Sequence, residues 1–188
     1  MTALQLMASS RKKVLVRMLD QTIHAGYLPL MGIVSGMETG LPVIELLDLS
    51  GRLETLALDE VRHVAYVRDF NLDNAVDPEN LVRRTFLARP RTEGLWVRIQ
   101  FAGGDVLEGL AALDIGLADG LLEDRGVYLI PPDIRSNTQR LFVPRAAMTQ
   151  LQVLGVVTTP SKPARVVKVA AESIQDDLFP ALSSDSEG

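Results

Sequence analysis

Leu95-Trp96-Val97-Arg98-Ile99-Gln100-Phe101 runs into Ala102-Gly103-Gly104-Asp105 and then into Val106-Leu107-Glu108-Gly109-Leu110-Ala111-Ala112-Leu113. Apolar and polar side chains alternate in the first run, the period of two that marks a half-buried strand. Gly103-Gly104-Asp105 reads as the turn of a hairpin, not as a phosphate cradle. The second run carries Gly109 at its middle. Glycine inside a strand marks a bend or a close backbone approach, and a strand that curves to close a small barrel needs such a point.

The same arrangement occurs earlier in the chain. Val14-Leu15-Val16-Arg17-Met18-Leu19 is followed by the polar turn Asp20-Gln21 and by Thr22-Ile23-His24-Ala25-Gly26-Tyr27-Leu28-Pro29-Leu30. Gly26 falls on Gly109, and the Val-Arg-apolar step sets Val16-Arg17-Met18 over Val97-Arg98-Ile99. A third strand follows in each segment, Pro42 to Asp48 and Gly126 to Pro131. Both segments close alike: Leu53 to Leu58, a short break, then Val61 to Val67; and Arg140 to Val143, a break at Pro144-Arg145, then Met148 to Leu154. Five short strands with a bent second strand and a tight junction between the last two describe a small Sm-like or SH3-like barrel. The expected fold is therefore all-β, two tandem five-stranded barrels; a single contiguous β-sandwich is the alternative. Copies of roughly 55–60 residues have small cores, so the two are expected to pack together.

The expected organisation is an N-terminal extension (1–13), a first barrel (14–69), a linker (70–94), a second barrel (95–155) and a largely flexible C-terminal tail (156–188). Asp77-Pro78-Glu79 has the form of a helix start, with Asp77 as cap, and predicts a short helical turn through Arg84. In the tail, Pro160-Ser161-Lys162-Pro163 reads as a linker, and Leu178-Phe179 within an acidic stretch is a candidate docking motif.

Composition narrows the chemistry. The 188 residues are 47% apolar and 23% charged, a globular balance. Aromatics make up only 5%, so aliphatic side chains must build the core. There is no cysteine, which removes disulfides, thiol catalysis and iron–sulfur clusters. The two histidines, His24 and His63, make no metal site by themselves, and neither metal nor cofactor is expected. A net charge of −5 argues against wholesale binding to nucleic acid or to an anionic membrane. The N-terminal segment lacks the charge order of a secretory signal, and no apolar run approaches the ~20 residues that span a bilayer. A cytoplasmic protein without membrane insertion is expected. No Ser-His-Asp, phosphate-loop, dinucleotide or zinc-protease pattern is present, so no catalytic residues are assigned and no enzyme is expected.

Two clusters remain as candidate sites. Arg83, Arg84, Arg89 and Arg91, with Arg98 beyond them, form the densest positive feature. Guanidinium forks match phosphate geometry, so a nucleotide is the ligand they would take. The bland alternative is a solvated connection neutralised by Asp69, Asp73, Asp77 and Glu79. Asp133, Ser136, Asn137 and Arg140 form the second cluster: either a turn returning one strand to the next, with Arg140 reaching Asp133 across it, or a polar patch for a partner.

Three resemblances bear on these residues. PilZ domains, which bind a cyclic dinucleotide, place Arg-x-x-x-Arg before a β-barrel and Asp/Asn-x-Ser-x-x-Gly on an early strand. Here Arg84 and Arg89 stand five apart, and Asp105 to Gly109 lacks the serine. Sm and LSm proteins carry an Asp-x-x-x-Asn loop after strand two and an Arg-Gly loop between strands four and five. Asp114 is followed by no such Asn, and the two junctions hold Asp59-Glu60 and Pro144-Arg145; with few aromatics to stack bases, RNA is disfavoured. Val127-Tyr128-Leu129-Ile130-Pro131-Pro132-Asp133, then Ser136-Asn137-Thr138-Gln139-Arg140-Leu141-Phe142-Val143, resembles a small family of uncharacterised bacterial domains over residues 96–154, with 14–69 as a degenerate first copy. That resemblance implies a fold and a bacterial source, and no activity. The functional expectation is a non-catalytic adaptor or regulatory module, bound to a protein partner or to itself through strand edges. A nucleotide sensor using the arginines is the alternative, and RNA binding a second.

Overall fold

The computed structural model describes residues 12–28, 34–35, 42–81, 83–113, 125–133 and 136–158. The N-terminal half contains β1 (Lys12–Met18), β2 (Ile23–Leu28), β3 (Val34–Ser35), β4 (Pro42–Asp48), β5 (Leu53–Ala57) and β6 (Val61–Val67). The C-terminal half contains β7 (Gly94–Phe101), β8 (Val106–Ala111), β9 (Gly126–Leu129), β10 (Thr138–Pro144) and β11 (Met148–Val157). A single 3-10 turn, Leu58–Glu60 or Arg145–Ala147, separates the last two strands of each half. The chain is all-β. Its described strands form an eight-stranded sheet, β3-β4-β2-β1-β6-β10-β9 with β5 on β4, and a three-stranded sheet, β11-β7-β8. Leu110 and Ile130 bridge the two through paired backbone hydrogen bonds of 3.0 and 2.9 Å.

Neither sheet closes into a barrel among the described residues. The reason lies in edge occupancy. Closing the N-terminal half would need β5 on the second edge of β6, but β10 holds that edge. Closing the C-terminal half would need β11 on β10, whose second edge is held by β6 in turn. Each half keeps the other open.

Two cores lie on opposite faces of the shared strands. Val14 and Val16 enter one core with Ile44, Leu46, Val64 and Phe142. Leu15, pointing the other way, enters the second with Ala65, Val97, Ile99, Leu129 and Leu141. The period-two geometry of a strand delivers this division. Because β1, β6 and β10 are apolar on both faces, each core takes side chains from both halves.

The pairing registers correct one part of the sequence alignment. Gly26 sits opposite Val14, and Gly109 sits opposite Val97. The same irregularity recurs beside each 3-10 turn: Arg17 pairs His63 and Met18 pairs Val61, while Gln100 pairs Gln150 and Phe101 pairs Met148. The counterparts are therefore Val14 with Val97, Val16 with Ile99 and Met18 with Phe101. The Val-Arg match is two residues out of register: both first hairpins place five residues between their last pairs, Arg17 with Ile23 and Gln100 with Val106, so the offset that aligns the glycines also aligns the strands. The glycine match stands, for a steric reason. A Cβ on Gly26 would collide with the Leu47 carbonyl, and one on Gly109 would lie 2.8 Å from Leu129 Cβ and 3.1 Å from the Ile130 carbonyl. Both glycines let the third strand of their half cross at close range.

Residues 70–94 make two single turns, Asn71–Asn74 and Asp77–Asn80, rather than a helix among those described. Asp77 caps the second, accepting from the Leu81 N–H at 3.1 Å, but Asn80 turns left-handed at φ 53° and ends it. The tail motif Leu178-Phe179 lies outside the described residues. No described helix is long and apolar enough to cross a membrane.

Candidate functional site

The connection between the halves is tied down by two buried carboxylates. Glu79 lies within the connection and is fully buried. Arg17, on β1, donates to it from Nε at 2.7 Å and from Nη2 at 2.6 Å. His63 Nε2, on β6, lies 3.3 Å away, and Thr138 Oγ1 donates to the Glu79 backbone carbonyl at 2.6 Å. Burial alone would raise the Glu79 carboxyl; the His63 and Arg17 hydrogen bonds reverse this and hold it at about 2. Burial pushes the His63 imidazole down against the pull of Glu79, so the ring is neutral at pH 7 and its buried Nδ1 has no hydrogen-bond partner. The cleft beside the His63–Glu79 pair has a volume of about 20 Å³, about that of one water. The Glu79 carboxylate ties the connection to β1 through Arg17 and meets β6 at His63, and its backbone carbonyl ties the connection to β10 through Thr138.

Glu108, on β8, performs the second clamp. It accepts from Arg98 Nε and Nη2 at 3.0 and 2.7 Å, from Trp96 Nε1 at 3.1 Å, and from the Phe86 backbone N–H at 3.0 Å. Its own N–H donates to the Arg84 carbonyl at 2.7 Å. Burial raises its carboxyl, and these donors outweigh that, leaving it below the usual range.

The four candidate arginines separate. Arg84 faces Asp105 at 3.6 Å, beside Arg62, which pairs Asp105 at 2.5 Å and stacks on Phe101. Arg83, Arg89 and Arg91 line a different feature, an open groove of about 400 Å³ walled by Phe86, Ile130 and Pro132. Arg89 donates to the Val156 carbonyl at 3.1 Å; Arg83 and Arg91 make no ion pair among the described residues.

The second candidate cluster is built as a turn. Ser136 N–H donates to the Asp133 carbonyl at 3.1 Å, and Ser136 Oγ to the Thr138 carbonyl at 3.0 Å. Asn137 reaches back across the molecule. Its Nδ2 donates to the carbonyls of Asp69 and Pro78 at 2.6 and 3.2 Å, and its Oδ1 accepts from the Asp69 N–H at 2.9 Å. Arg140 lies over the Tyr128 ring at 4.0 Å. The two histidines do not converge: His24 meets Glu54 at 2.8 Å, and His63 meets Glu79. No group of three or more metal-ligating side chains forms among the described residues.

The model of a family of unknown function, DUF6982, matches residues 10–155. The chain belongs to that family. The DUF6982 match begins just before β1 and ends within β11, so it spans both halves and the connection, a wider region than 96–154. No curated protein and no solved structure matches the chain.

Sequence reasoning missed Arg17, Glu79 and Glu108. A signal for Glu108 existed: a glutamate beside Gly109, directly opposite an arginine in the hairpin register. For Glu79 there was none, since its partners are 62 and 16 residues away. Sequence also could not show which edges stay open. Among the described residues, β5 pairs only with β4 and β11 only with β7. Leu53 on β5 is 64% exposed, and Val153 on β11 is 53% exposed.

Proposed function

We propose that the chain is a non-catalytic adaptor or regulatory interaction module made of two Sm-like units fused edge to edge. Supporting this are the order of pairings, the 3-10 turn and the strand glycine, each found in both halves. The observation that carries the reading is the pair of open strand edges. β11 has no charged residue and no proline from Met148 to Val157, so it lacks the usual guards against strand addition. Its test is reconstitution: a partner identified by capture on the full chain, then purified, should bind wild type and lose binding to Val153→Lys or Leu53→Lys. Binding unaffected by both substitutions overturns the reading.

The groove favours a second reading, an anionic ligand of nucleotide size held by Arg83, Arg89 and Arg91. A thermal-shift screen against nucleotides tests it. Stabilisation of wild type that disappears in Arg83→Ala/Arg91→Ala supports it, and no shift with any nucleotide removes it.

A further inference from the structure

We propose that the open β5 edge of one copy pairs with the open β11 edge of a second copy, so that the chain assembles head to tail. The inference rests on the interaction-module reading and names the partner: another molecule of this chain. The template is the joint inside the molecule. There β10, which precedes the second 3-10 turn, pairs antiparallel with β6, which follows the first. β5 and β11 hold the same two positions, before the first turn and after the second. The internal joint therefore consumes one edge of each kind and, among the described residues, leaves one of each kind free.

Counting from the 3-10 turns, Leu53, Glu54 and Thr55 correspond to Arg140, Leu141 and Phe142. Val64, Ala65 and Tyr66 correspond to Leu151, Gln152 and Val153 by the same count. The internal register is Arg140 with Tyr66, Leu141 with Ala65, and Phe142 with Val64. Carried to the free edges, it sets Leu53 against Val153, Glu54 against Gln152 and Thr55 against Leu151. Leu53 and Val153, two of the exposed large apolar residues of the chain, then cover each other. Arg89 holds the Val156 carbonyl, so pairing stops short of it. Where the internal joint has Leu141 against Ala65, both buried, the joint between copies has a carboxylate against an amide. The joint between copies is consequently wetter and reversible. It is also heterologous, so assembly closes into a ring or grows as a filament.

The test is sedimentation of the full-length chain over a range of concentrations. Wild type should show a mass that rises with concentration above that of one chain. Leu53→Lys removes one edge and Val153→Lys the other, each at an exposed position, so each variant alone should stay monomeric. Mixed, they retain one intact edge apiece and should form a one-to-one dimer that grows no further. Should either substitution unfold the chain, Thr55→Arg and Gln152→Arg, also at exposed positions, ask the same question. A monomeric wild type overturns the proposal, whether residues 159–188 or another protein covers the edges. So does a self-associating Leu53→Lys, which would mean β11 pairing with β11. A monomeric wild type that still loses a reconstituted partner on Val153→Lys sinks self-assembly and leaves the module reading intact.

Discussion

Leu15 and Arg98 occupy the same place in the two halves: next to the glycine-facing valine, on the outward side of the first strand. Ala65 and Gln152 are likewise counterparts on the last strand. The N-terminal pair is wholly buried, while Gln152 is exposed. The inward positions, by contrast, are apolar in both halves: Val14, Val16 and Met18 against Val97, Ile99 and Phe101. The outward positions differ because the C-terminal half packs on Leu15 and Ala65, whereas Arg98 and Gln152 stay exposed. The carboxylates follow the same division. Arg98 finds Glu108 on the neighbouring strand, whereas Arg17 is met by Glu79 from the connection, 62 residues away.

The hardest blow to the covered side is expected from Glu79→Ala. It leaves Arg17, its side chain 13% exposed, without its carboxylate, and losing one partner of a buried pair costs about 3–5 kcal/mol. Urea unfolding should show the midpoint falling accordingly. Leu15→Ala should cost about 2–5 kcal/mol as a buried leucine, while Gln152→Ala on the open side should stay within about 0.5 kcal/mol. Equal costs would break the distinction between covered and open faces. Glu108→Ala should fall between, near 1–3 kcal/mol, since it strands the Phe86 N–H and the Trp96 indole.

A smaller effect is the response to acid. Unfolded His63 takes up a proton near its ordinary 6.5, and the buried ring resists it. The unfolded state then binds more protons, so stability falls as pH drops below about 6.5. Glu79, near 4.5 when unfolded and about 2 when folded, adds a second loss as pH falls from 4.5 toward 2. Unfolding free energy measured against pH should show both limbs. His63→Gln should flatten the upper one and keep the lower. Leu53→Lys and Val153→Lys should leave the unfolding midpoint of the single chain almost unchanged, because both sites are exposed.

Much of this was legible in the sequence. Strand periodicity placed β6 at Val61–Val67 without error, and the two glycines marked both close strand crossings. Those features are local: alternation and the absence of a Cβ act within a few residues. The arginine cluster was legible as a cluster but not as a surface, because folding sends Arg84 to Asp105 and leaves Arg83, Arg89 and Arg91 around the groove. Asn137 was readable as a turn residue, yet its bonds to Asp69 and Pro78 span 68 and 59 residues.

The sequence by itself determined that the chain is all-β, that its core is aliphatic, and that a similar strand pattern occurs in each half. Periodicity and composition suffice for that, since they fix which side of each strand must leave water. Only the tertiary structure decided that β10 joins β6 and that, among the described residues, neither sheet closes and β5 and β11 each keep an unpaired edge. A strand's edge carries the same backbone donors and acceptors whatever its side chains. Which edges are satisfied therefore depends on which strand arrives beside them.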